Sequence, residues 1–286
     1  MLTREQIDFY HENGYLGVEG VLSADEVAEL QQVTDDFVQL SATVTEHTSV
    51  FDLEPGHTPE SPKLRRLKDP IDQHEVYKKN LHHPGILAIV AQLIGPNIRS
   101  NGNKLNMKSP EYGSPVEWHQ DWAFYPHTND DILAVGVSMD DMMYENGCLL
   151  VIPGSHKGPI LTHHQNGRFA GAVTEDVTDA DKAVPIELKA GGISIHHVRT
   201  LHASARNVSP NPRRLLLYQY CAADAWSIMG YGNWQEYLDT MVCGQPTKRP
   251  RMLDAPIEIP LPEAERGGSI YETQTILENP VFADAA

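Results

Sequence analysis

From about residue 98 to residue 222 the chain breaks into short strand-like runs, and turn signals split them. The runs at 132–139 (ILAVGVSM), 148–152, 184–188, 193–197 and 214–220 (RLLLYQY), with a polar-apolar alternation at 104–108, are split by glycine, asparagine and proline. The junctions are Asn101-Gly102, Gly113-Ser114-Pro115, Glu145-Asn146-Gly147, Pro153-Gly154-Ser155 and Gly191-Gly192. Short runs bounded by such residues read as strands and the junctions as their reversals. A series of short strands leaves edge groups unpaired unless it closes on itself or stacks as two sheets. The expected fold is therefore mainly β with flanking helices, its core a jelly roll.

The helical signals lie upstream. Thr3, followed by Glu5 and Gln6, caps an amphipathic helix that stops at Asn13-Gly14, and 15–18 (YLGV) reads as a short strand. Ser23 and Glu26 form a capping box for a second helix, whose Val27, Leu30, Val33, Phe37 and Leu40 keep a helical period. Residues 41–70, with Pro55, Pro59, Pro62 and Pro70, read as a long loop of the kind that covers a site. The stretch 84–95 (PGILAIVAQLIG) is a buried helix ended by Gly95-Pro96, and a further helix is expected over 226–240. The organisation implied is one domain over 1–286, with a helical part to 97, a jelly-roll core over 98–222 and a C-terminal wrap over 223–286.

Composition narrows the function. A formal net charge of −17 argues against nucleic acid or an anionic membrane as partner, because both need surplus lysine and arginine. The N-terminus reads as a capped helix rather than a signal peptide, and no apolar run approaches membrane-spanning length, so a cytoplasmic protein is expected. Cys148, Cys221 and Cys243 are widely separated and odd in number, which reads as small buried hydrophobes in a reducing compartment.

Fourteen histidines are too many for their number to decide anything; spacing has to decide. In Trp118-His119-Gln120-Asp121 an extended backbone would send His119 and Asp121 out of the same face, bringing an imidazole nitrogen and a carboxylate oxygen to one point. His202 ends a later strand pattern, just before the small pair Ala203-Ser204, and offers a third ligand. Two histidines and a carboxylate on a β scaffold are the facial triad of non-haem iron oxygenases. Zinc would take four ligands or three plus water, so a zinc-dependent hydrolase stays open as the alternative, although no general base stands out. A non-oxidative metal enzyme or a non-catalytic binder would also fit the fold. Arg213 and Arg214 open the apolar strand that follows, and a buried guanidinium there calls for an anionic partner, such as a small dicarboxylate held through a bidentate fork.

The joint pattern of HQD at 119–121, ENGCLLVIPGSH at 145–156 and LHASARNVSPNPRR at 201–214 resembles the phytanoyl-CoA dioxygenase family of iron(II)- and 2-oxoglutarate-dependent oxygenases. The opening helix, NGYL and HHPGILAIVAQLIGP are similar to it as well, so the likeness runs to about residue 222. The resemblance implies a double-stranded β-helix, cupin-like core holding iron(II) through His119, Asp121 and His202. It further implies 2-oxoglutarate as cosubstrate, with Arg213 on its far carboxylate and Ser204 and Gln120 beside it, and O2 consumed with release of succinate and CO2. Arg214 would be the anchor if the register slipped by one, but strand alternation sends it to the opposite face. The carboxylate of Asp121 implies hydroxylation or a related oxidation, since related halogenases carry a small residue there.

For a small-molecule substrate the sequence offers Asn106 or Met107, depending on strand register, and Trp122 beside the metal segment. His196 is expected on the sheet surface, and His163 and His164 in a solvated loop. Lys63, Arg65, Arg66 and Lys68 form one basic cluster, read as part of the solvated loop. With no other basic patch an acyl-CoA substrate is disfavoured, and family breadth points to a secondary-metabolite or amino-acid-like molecule.

Overall fold

The computed structural model describes residues 1–264 and 269–282. It opens with α1 (Arg4–Asn13), β1 (Tyr15–Val18) and α2 (Ala24–Ser41). Both helices start at the caps read from the sequence, and the structure completes the one at Thr3 as a second capping box: the Thr3 hydroxyl accepts from the Gln6 amide while the Gln6 side chain accepts from the Thr3 amide, as Ser23 and Glu26 do. Next come β2 (Phe51–Leu53), β3 (Leu64–Lys68), α3 (Pro70–Gln73), α4 (Glu75–Leu81) and α5 (Pro84–Ile94). The strand-rich part contains β4 (Ile98–Lys108), β5 (Val116–His119), β6 (Ile132–Ser138), β7 (Leu149–Val151), β8 (His164–Gln165), β9 (Arg168–Phe169), β10 (Val184–Ile186), β11 (Ile193–His197), β12 (His202–Ser204) and β13 (Arg213–Ala222). The described tail adds α6 (Trp234–Asp239), β14 (Met241–Cys243) and α7 (Ile270–Thr273).

Two main antiparallel sheets result among the described residues, with β8 and β9 paired separately as a two-stranded ribbon. The larger runs β1-β11-β6-β13-β4-β3-β2, with β14 also on β4, and the smaller runs β10-β7-β12-β5. Successive strands cross between the sheets, which is the jelly-roll arrangement, and residues of both sheets line the space between them.

Two expectations need correction. Residues 41–70 are not a loop throughout, because β2 pairs with β3 and β3 with β4 to complete the edge of the larger sheet. Pro55, Pro59 and Pro62 all fall in the connection between β2 and β3, where a missing amide removes no ladder bond. The helix expected over 226–240 is limited to α6, which begins where the Asn233 side chain accepts from the amides of Gln235 and Glu236. Residues 265–268 and 283–286 of the expected C-terminal wrap lie outside the described residues.

Strand alternation divides the larger sheet into an apolar face and a polar one. Leu105, Met107, Leu133, Val135, Val137, Leu216, Tyr218 and Tyr220 are buried in the main core with Leu30 of α2, Tyr77 of α4 and Ile86 and Val90 of α5. The two buried tyrosines find acceptors for their hydroxyls: Tyr218 donates to the Tyr77 carbonyl at 2.6 Å and Tyr220 to the Leu81 carbonyl at 2.8 Å, which ties α4 to the sheet. Lys104, Asn106, Ala134, Arg213, Leu215 and Gln219 take the other parity and face the space between the sheets. Gly136 permits that packing, because a Cβ there would lie 2.6 Å from Ser194 Oγ and 2.9 Å from Leu215 Cδ1. Among the described residues no helix is long and apolar enough to cross a membrane.

Leu216 sits at the centre of this arrangement, paired with Leu105 on β4 and Val137 on β6 and fully buried. Leu216→Ala should lower the unfolding free energy by about 2–5 kcal/mol in a urea titration with an unchanged slope. A loss well under about 1 kcal/mol would mean that the site can collapse around the missing atoms and that the face is not close-packed.

Candidate metal centre

The centre forms where β5 and β12 pair. His202 lies directly across from His119, so two imidazoles share one face of the smaller sheet, their ring centroids 4.0 Å apart. The strand ends at His119, Gln120 remains extended, and Asp121 opens a 3-10 turn through Ala123. That turn carries the Asp121 carboxylate back toward the histidines: Oδ1 lies 3.9 Å from His119 Nε2 and 4.0 Å from His202 Nε2. The three groups form a buried cluster that could hold a metal ion.

Hydrogen bonding fixes which nitrogens are free. His119 Nδ1 lies 2.8 Å from the Glu117 carbonyl and His202 Nδ1 2.9 Å from the Thr200 carbonyl. A carbonyl only accepts, so each Nδ1 carries its proton and each Nε2 presents a lone pair to the cluster. Burial pushes the His119 imidazole down to about 4 and the His202 imidazole well below the usual histidine range, which keeps both neutral as ligands must be. Burial also resists ionisation of Asp121, but His196 and the charges around it outweigh that and hold the carboxyl well below the usual range. Two nitrogen donors and one carboxylate oxygen, oriented and deprotonated, fit the donor set of non-haem iron(II).

Arg213 lines the same cavity from the start of β13, three inward positions before Gln219, whose side-chain amide approaches Asp121 Oδ2 at 3.4 Å. Its guanidinium is buried and is held only by backbone carbonyls, donating from Nε to Gly147 at 3.1 Å and from Nη1 to Asn106 at 3.4 Å. Among the described residues no carboxylate makes an ion pair with it. A buried cation so placed has capacity left for an anion, and a dicarboxylate chelating at the cluster would supply one. Ser204 and Asn106 line the cavity beside it.

The phytanoyl-CoA dioxygenase (PhyH) family model matches residues 10–215, which takes in β5, the 3-10 turn, β12 and Arg213. The chain belongs to the phytanoyl-CoA dioxygenase family. Over 279 residues it is 36% identical to a probable alpha-ketoglutarate-dependent hypophosphite dioxygenase of Stutzerimonas stutzeri, covering 96% of this chain and 97% of that one. Human peroxisomal phytanoyl-CoA dioxygenase is 26% identical over 262 residues, 85% of this chain and 75% of that one. The fold matches that of EctD from S. alaskensis, solved with bound Fe, with a TM-score of 0.66 at 22% identity and 87% of each chain covered. The protein is accordingly a non-haem iron(II)- and 2-oxoglutarate-dependent dioxygenase.

Within this family site the structure sorts the residues singled out from the sequence. His119, Asp121, His202, Ser204, Arg213 and Asn106 line one cavity. Gln120 does not reach it. Its amide donates to the carbonyls of Arg199 at 2.9 Å and Pro159 at 3.2 Å, and its oxygen accepts from the Leu161 amide at 2.9 Å. Lying between two inward residues on extended backbone, it points the other way and locks the following loops instead. Met107 has the parity of the helix-packed core. Trp122 is enclosed by Ile132, Val198 and Cys221 and donates its indole N–H to the Pro256 carbonyl, so it is not in the pocket. Arg214 lies on the opposite face, donating to Asp140 and Asp35.

Other expectations reverse. His196 is buried rather than on the surface, its Nε2 3.4 Å from Asp121 Oδ2. His163 is buried too, accepting from the Gln120 amide at 2.9 Å. The basic cluster is not a solvated loop: Arg65 bonds Glu272, Lys68 bonds Asp52 at 2.7 Å, and Arg66 lines a second, outer cavity. Lys104, Tyr125 and Gln219 are cavity residues that the sequence reading did not identify. Lys104 and Gln219 were reachable by counting in twos from Asn106 and Arg213, whereas Tyr125 follows the turn and has no such signal.

If Gln120 is a lock rather than a ligand, Gln120→Leu should cost about 1–3 kcal/mol of stability, because three buried backbone groups lose their partner. The KM for 2-oxoglutarate should stay within about twofold of wild type. A stable variant with a strongly raised 2-oxoglutarate KM would restore Gln120 to the cosubstrate site.

Proposed function

We propose that His119, Asp121 and His202 hold the iron(II), that Arg213 binds the far carboxylate of 2-oxoglutarate with Ser204 beside it, and that the substrate is a small oxyanion of the hypophosphite class. The observation that carries the cosubstrate reading is the Arg213 guanidinium, buried in the cavity of the three-ligand cluster with carbonyls as its hydrogen-bond partners. The substrate class is supported by the 36% identity, along nearly the whole of both chains, to a protein named for hypophosphite. It displaces the secondary-metabolite expectation, which no residue supported.

When bound, iron and 2-oxoglutarate supply oxygen activation coupled to release of succinate and CO2. The chain's own residues do the rest. The Glu117 and Thr200 carbonyls hold the two imidazoles with Nε2 forward. Gln219, itself bonded to the Tyr125 hydroxyl, reaches the second oxygen of Asp121 and leaves Oδ1 to face the histidines. Gly147 holds Arg213 by its carbonyl in a left-handed backbone conformation (φ +76°), and a Cβ there would meet the Ala205 oxygen at 2.5 Å, so a glycine is required.

With iron(II), 2-oxoglutarate and O2, hypophosphite should stimulate succinate formation and appear as phosphite in equal amount. Asp121→Ala and His202→Ala should abolish that turnover. Arg213→Ala should retain iron and raise the 2-oxoglutarate KM by about 10–100-fold, the loss of a charge-assisted hydrogen-bond pair. Succinate formation indifferent to hypophosphite would remove the substrate class, and wild-type turnover by His202→Ala would remove the ligand set.

A further inference from the structure

Most cations around the two cavities are partnered within the chain. Arg65 bonds Glu272, Lys68 bonds Asp52, Lys108 donates to the Ser114 and Ala205 carbonyls at 2.6 Å each, and Arg213 has the carbonyls named above. Arg66 and Lys104 are different. They stand on adjacent strands, β3 and β4, both line the outer cavity, and neither side chain makes an ion pair or a hydrogen bond among the described residues. The Arg66 Nε is buried without a partner. Asp69 lines the same cavity but pairs with neither of them. Burial disfavours the charge on Lys104, the Asp121 carboxylate favours it, and Arg66 lies close enough to repel it. Two like charges facing one cavity, where the carboxylate within reach of Lys104, Asp121, belongs to the metal cluster, are a costly arrangement unless a further anion joins them.

Lys104 also lines the inner cavity with His119, Asp121 and His202, so it stands where the two spaces meet. The far carboxylate of the cosubstrate has Arg213 on another rung of the sheet, two inward positions along β13 from the partner of Lys104, Leu217. We infer that Arg66 and Lys104 are the specificity residues for the anionic primary substrate, Arg66 drawing the oxyanion into the outer cavity and Lys104 holding it beside the metal cluster. This rests on the proposed oxyanion substrate and assigns the residues that would recognise it.

The test is equilibrium binding to the protein loaded with iron(II) and 2-oxoglutarate without O2, using hypophosphite and, as a second probe, inorganic phosphate, read by calorimetry. Wild type should bind hypophosphite. Lys104→Met and Arg66→Met, which keep length and remove charge, should each weaken that binding at least about tenfold, as loss of a charged hydrogen-bond partner does. Lys104→Arg should recover part of it, and 2-oxoglutarate affinity should stay within about twofold in all three. Binding that weakens as salt rises in wild type should lose part of that dependence in each Met variant. The inference is overturned if wild type binds neither oxyanion, if the Met variants bind like wild type, or if the loss falls on 2-oxoglutarate instead. Hypophosphite that binds through both cations but is not oxidised when O2 is then admitted would also overturn it, because an anion site that feeds no turnover is not the site of the primary substrate.

Discussion

The pairing of His202 with His119 across β5 and β12 is the constraint on which the rest of the site depends. Antiparallel register brings the two imidazoles together, and two backbone carbonyls fix both rings in the same tautomer. Asp121 then needs only a single 3-10 turn to close the cluster. A slip of one residue in that pairing would turn a ligand to the other face, so the whole sandwich, with its helix-backed larger sheet, serves to hold one register.

Charge is distributed in the opposite sense inside and out. The chain carries a net charge of −17, yet its inner and outer cavities gather Arg213, Lys104 and Arg66. A negative net charge disfavours polyanions, while the buried Arg213 and the half-buried Lys104 and Arg66 attract small anions into the cavities. The architecture thus favours small anions that can enter the cavity over large anionic partners. The described tail takes part as well, since Ile270 reaches both cavities and Glu272 neutralises Arg65 from outside them.

Much of this was legible in the sequence because it depends on local rules. The cap at Thr3, the capping box at Ser23 and the turn residues between short runs mark the elements; spacing offers His119, Asp121 and His202 as candidate ligands, and the family resemblance assigns them the iron and Arg213 the cosubstrate. What failed failed for physical reasons. β2 and β3 were hidden because the prolines between them look like loop punctuation. Gln120 comes from a matching family position and Met107 from the alternative register to Asn106, and strand parity sends both away from the cavity. His163 and His196 looked solvent-facing because nothing local announces which loop or strand another segment will cover. Arg66 sat in a basic cluster whose members separate only when tertiary partners claim Arg65 and Lys68 and leave it unclaimed.

The central claim is that one buried cluster binds iron(II) and presents it to 2-oxoglutarate. Anaerobic titration of iron(II) and then 2-oxoglutarate, followed by visible absorption, tests it most directly. The account predicts one iron per chain, a charge-transfer band that appears only when both are present, and no band in His202→Ala. A full-strength band in His202→Ala, or none in wild type with iron bound, would contradict it.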